Sequence, residues 1–135
     1  MTPRAALRWL LVLPVAILAA YVAHFVIGMA AWLVLGSYAS VQSTGIYYLR
    51  LLLFYAPKEA AFVIAGAKVA PRGHLATAFG LAAIAILISL IVHVLGQQSV
   101  GVTNYTHFTA ESAGAIFGVA FMYFSQQRPN KELQQ

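Results

Sequence analysis

Lys58 and Glu59 stand side by side in LLLFYAPKEAAFVIAG (51–66), a stretch otherwise almost wholly apolar, and His107 and Glu111 stand four residues apart in THFTAESAG (106–114). An ammonium, carboxylates and imidazoles among apolar neighbours are the groups that could relay a proton, hold an ion or ligate a metal. The other candidates are His24, Arg50 and His93. Haem or metal ligation needs several ligands converging at one depth. His24 is expected about two turns deeper than His93, so the nearest approach to a ligand set is His93 and His107 with Glu111. Hydrogen-bonded packing histidines are the simpler reading, and neither a cofactor nor a metal is expected. Gly-rich phosphate loops, HExxH and nucleophile elbows are missing from the sequence.

The elements that must position these groups follow from composition. Of 135 residues, 61% are hydrophobic and 8% charged, with a mean hydropathy of +0.81. A soluble domain carries about a quarter of its residues as charges, so the expected class is an all-α integral membrane protein forming one membrane domain over residues 1–135. Cysteine is absent, which removes disulfides, thiolate sites and cysteine nucleophiles.

A spanning helix needs about 20 apolar residues, and four segments meet or approach that: about 9–35, 46–70, 75–95 and 107–124. The first is read as a retained helix rather than a signal peptide, because its apolar run continues past signal length and no clean small-x-small site ends it. Pro14 is expected to bend it modestly. The intervening segments 36–45, 70–74 and 96–107 are rich in turn residues. The fold expected is a four-transmembrane-helix bundle.

Charge gives its orientation. Arg4 and Arg8 precede the first helix, Lys68 and Arg72 flank the link between the second and third, and Arg128 and Lys131 follow the fourth; segments 36–45 and 96–106 carry no charge. Basic flanks mark the cytoplasmic side, so both termini are expected there. The same placement accounts for the net charge of +5 through topology and anionic lipid contact rather than nucleic-acid binding. Tyr38, Tyr47, Tyr48, Tyr55, Tyr123, Trp9 and Trp32 read as interfacial anchors. Asn104-Tyr105-Thr106 matches a glycosylation sequon, which matters only in a eukaryotic secretory pathway. The alanine-rich composition points instead to a bacterial cytoplasmic (inner) membrane.

At about 1.5 Å per residue, the polar groups sort into two layers. An outer layer holds Arg50, Glu111, His93 and His107; a middle layer holds Lys58, Glu59 and His24. Each has a cation and a carboxylate, and the expected outer pair is Arg50 with Glu111. Stripes of small residues accompany them: Ala20, His24 and Gly28 on helix one; Ala82, Ser89 and His93 on helix three; His107, Glu111, Gly114 and Gly118 on helix four. Gly114 and Gly118 form a GxxxG pair suited to close helix packing, while Ile116, Phe117, Tyr123 and Phe124 on the other side suit lipid. Pro57 is the expected hinge: PKEAAF has the character of a helix start, so helix two is expected to break there and turn Lys58 and Glu59 inward.

Two functions suit this pattern. One is a non-catalytic accessory or assembly subunit packing within the membrane, partnered by the bilayer and by copies of itself or a larger membrane complex. The other is a small oligomeric transporter or channel subunit using the Lys/Glu/His/Arg layers. An enzyme is not expected, because the carboxylates and histidines are too few and too scattered to name a reaction.

Overall fold

A computed structural model describes residues 2–35, 44–100 and 105–127. The segment 36–43, residues 101–104 and the tail 128–135 lie outside the described residues, and with them Tyr38, Asn104, Arg128, Lys131 and Glu132. Four α-helices account for nearly all of the rest: α1 (Pro3–Leu35), α2 (Thr44–Val69), α3 (His74–Val100) and α4 (Tyr105–Gln127). No strand occurs among the described residues.

The helix ends follow from local chemistry. Pro3 opens α1, where its missing N–H is no loss, and the Thr2 carbonyl accepts from the Ala5 and Ala6 amides at 2.9 and 3.2 Å. The helix therefore begins about a turn and a half before the apolar run at Trp9. At the far end of α2, the Ala67 carbonyl would bond to the amide of residue 71, which is Pro71 and has none. His74 supplies the donor instead, its Nδ1–H reaching the Ala67 carbonyl at 2.7 Å. Gly73, at φ 64°, makes the left-handed step between the two helices, and α3 starts with the Thr77 amide on the Gly73 carbonyl at 2.9 Å.

α2 continues through Pro57, which corrects the expected break. A proline inside a helix deprives the carbonyl four residues back, here Leu53, of its donor. Neighbouring helices support the backbone of this turn: His24 donates from Nδ1 to the Phe54 carbonyl at 3.3 Å, and Gly114 lies directly against Ala56.

α2 is the axis of the assembly. α1 packs on α2 alone, whereas α2, α3 and α4 each pack on the other two. Contacts set the directions. Val12 and Ala16 of α1 meet Gly66, and Gly28 meets Phe54, so α1 runs antiparallel to α2. Gly114 meets Ala56 and Gly118 meets Val63, so α4 runs parallel to it. Gly66 also faces Leu81, and Ser89 of α3 reaches Glu111, so α3 runs opposite to both.

The core is built largely from small side chains: Ala67 of α2, Ala70 just beyond its end, Ala78, Ala82 and Ala85 of α3 and Ala115 of α4, with Val12, Val63, Leu81 and Met122 as the larger members. Small residues bring helix backbones close and draw their stability from van der Waals contact. The large apolar side chains point outward instead, including Phe25, Trp32, Ile88, Ile116, Phe117 and Phe124. α1 (Pro3–Val34, mean hydropathy 2.5) and α3 (His74–Leu95, 2.6) are long and apolar enough to cross a membrane.

Candidate functional site

The α2–α4 contact creates the site. A Cβ on Gly114 would overlap the Ala56 carbonyl and come within 2.7 Å of the Ala56 Cα; one on Gly118 would lie 2.8 Å from the Val63 Cβ. Only glycine permits this approach. Gly114, Gly118 and Glu111 are all buried on the same stripe of α4, which delivers the Glu111 carboxylate to α2.

There it meets Lys58. The Lys58 ammonium bridges two carboxylates, Glu59 Oε1 and Glu111 Oε1, each at 3.1 Å. The second oxygen of Glu111 accepts from the buried Ser89 hydroxyl of α3, so one side chain ties α4 to both neighbours. Side-chain exposure is 30% for Lys58, 13% for Glu59 and 11% for Glu111, which places the carboxylates among protein atoms. The Lys58 ammonium also stands 6.0 Å from the centre of the Tyr55 ring, at the limit of a cation–π contact.

One turn along α3, His93 donates from Nδ1 to the Ser89 carbonyl at 2.7 Å, which leaves Nε2 turned away from the backbone. His93 and His107 lie 6.3 Å apart by ring centres, and His107 packs edge-on to Tyr55 at 4.6 Å. Glu111, expected in the outer layer with Arg50, His93 and His107, has its oxygens engaged by Lys58 and Ser89, and no group of three metal-ligating side chains forms among the described residues.

The expected Arg50–Glu111 pair is absent. Arg50 lies over the Phe54 ring, 5.7 Å from its centre, and Glu111 belongs to Lys58. The expected depths assumed that α2 and α4 start level. Glu111 instead meets a residue eight positions beyond Arg50, so α4 is set inward along α2 by about 12 Å. His24 also stays outside the cluster; it binds the Phe54 carbonyl one turn outward of Lys58.

Three contributors were missed. Gly66 sits between α1 and α3, where a Cβ would come within 2.5 Å of Leu81 Cδ1 and 3.0 Å of the Ala16 Cβ; the small residues around it in VIAGA were the available signal. His74, as a cap, was signalled by the proline four residues after Ala67. Tyr55, read as an interfacial anchor, packs instead against His107 and Lys58. No family model, curated protein or solved structure matches the chain.

Proposed function

We propose that this is a polytopic membrane protein crossing the bilayer four times with both termini cytoplasmic, and that it serves as a non-catalytic accessory or assembly subunit. The observation that carries the reading is the inversion of side-chain sizes and polarity. Lys58, Glu59, Glu111 and Ser89 close on one another inside, while large apolar side chains are exposed on all four helices, with Tyr21 71% and Phe25 69% exposed on α1. α2 and α4 carry the charges of the inner cluster and are the helices most enclosed by the others, as intramembrane polar residues require. The alternation of directions, α1 and α3 against α2 and α4, suits four successive crossings. Recognition of a second copy or a larger membrane complex is assigned to the apolar face, chiefly that of α1, which packs on α2 alone among the described helices.

A second reading, a small transporter or channel subunit, draws on one observation: a single lysine faces two carboxylates, an imbalance that a translocated proton or cation would relieve.

Three measurements test these readings. Single cysteines at Gly45 and Tyr105 are expected to react with an impermeant thiol reagent on intact cells and one at Thr2 is not; the opposite pattern overturns the orientation. A photocrosslinker at Phe25 in native membranes is expected to give one discrete protein adduct, and purified protein in vesicles is expected to pass neither protons nor alkali cations. Flux that disappears in Glu111→Gln would replace the accessory reading with the transporter.

A further inference from the structure

We infer that the outer end of α2 carries a binding site for the phosphate of an anionic phospholipid, with Arg50 as the residue that holds it. The inference rests on the membrane reading above and adds a ligand to it.

Charge leads to this conclusion. Two acidic side chains lie among the described residues. Glu59 and Glu111 are both engaged by Lys58. Arg50 makes no ion pair among the described residues, yet it is half-buried on a helix rich in leucine and phenylalanine. A guanidinium cannot shed its proton, so in an apolar setting it calls for an anion from outside the chain.

The surroundings are shaped to receive one. A half-open cavity of about 300 Å³ lies at the outer end of α2 beside the start of α4, lined by Tyr47, Arg50, Leu51, Phe54, Tyr55 and His107. Arg50, the tyrosine hydroxyls and the His107 ring provide donors for phosphate oxygens, and Leu51 and Phe54 provide an apolar floor along which an acyl chain can lie. The level is also right. Hydrocarbon about 30 Å thick takes about 20 helical residues, and counting back that many from the inner end of α2 at Val69 reaches Arg50, at the boundary where lipid phosphates sit.

The test uses the purified full-length protein in mild detergent, with bound lipid counted by native mass spectrometry as phosphatidylglycerol is added. The wild type is expected to retain one phosphatidylglycerol more tightly than phosphatidylcholine. Arg50→Gln is expected to weaken that retention at least about tenfold, in keeping with loss of a hydrogen-bonded charge, and Arg50→Lys to restore part of it. Undiminished binding in Arg50→Gln, or an equal loss in Arg72→Gln at the opposite end, would overturn the assignment. So would complete displacement by millimolar inorganic phosphate, which would make this a site for a free anion. Flotation of Arg50→Gln with uncharged vesicles separates the two levels: protein that floats but has unaltered lipid binding condemns the site alone, and protein that does not float condemns the membrane reading.

Discussion

Lys58 and Arg50 are cations on the same helix, eight residues apart, and the chain treats them in opposite ways. Around Lys58 three helices meet, two carboxylates lie at 3.1 Å, and a hydroxyl from α3 binds the far side of Glu111. Around Arg50 there is an aromatic ring, a half-open cavity and no carboxylate among the described residues. The difference arises from helix offset: α4 begins inward of the start of α2, so its only carboxylate arrives at Lys58 and cannot serve Arg50. An internal cation that is neutralised within the chain supports the fold. A cation left without a partner supports contact with something else.

The largest effect is expected where neutralisation is removed. Lys58→Met leaves Glu59 and Glu111 facing each other without a cation, and breaking a buried pair in this way costs about 3–5 kcal/mol. The partial exposure of Lys58 puts the expected loss near the lower limit, measured by denaturant unfolding in mild detergent. Next comes the approach that delivers Glu111. Gly114→Ala places a methyl group against backbone atoms of Ala56, which cannot rotate aside, so its cost is expected near the upper end of the 1–3 kcal/mol typical of overpacking. Wild-type stability in this variant would mean that α2 and α4 are not held at glycine distance.

Pro57→Ala sharpens the comparison with the opposite sign. With α2 continuous, alanine restores the amide that Leu53 lacks and has the better helix propensity. A gain of about 1 kcal/mol in unfolding free energy is expected; a loss would restore the hinge that the sequence alone suggested. The smallest effect belongs to the other cation. Arg50→Gln in detergent free of anionic lipid is expected to shift stability by less than about 0.5 kcal/mol, because no internal partner is lost. A loss comparable to that of Lys58→Met would erase the distinction between the two sites.

Much of this arrangement is legible in the sequence. The four helices were legible, although only α1 and α3 among the described residues are apolar enough to cross a membrane; the stripe of Glu111, Gly114 and Gly118 followed from spacing on one helix, as did the exposed Ile116, Phe117, Tyr123 and Phe124 on the other face. What failed was everything requiring the offset between helices. Periodicity fixes direction around a helix axis but not position along a neighbour, so Glu111 was matched with Arg50 rather than Lys58. PKEAAF illustrates a second limit. Its composition is that of a helix start, but the neighbouring contacts of His24 and Gly114 hold this turn within one continuous helix, and neither contact is local in sequence.

The central claim is that Lys58 and Glu111 are partners across the α2–α4 contact, and a double-mutant cycle tests it most directly. Lys58→Met, Glu111→Leu and the double variant would be unfolded alongside the wild type under one set of conditions. A coupling energy of about 1.5 kcal/mol or more is expected, within the 0.5–3 kcal/mol found for contacting residues, with the double variant more stable than the sum of the single losses allows. Single losses that add to within about 0.5 kcal/mol, the behaviour of distant residues, would contradict the pairing and with it the placement of α4 along α2.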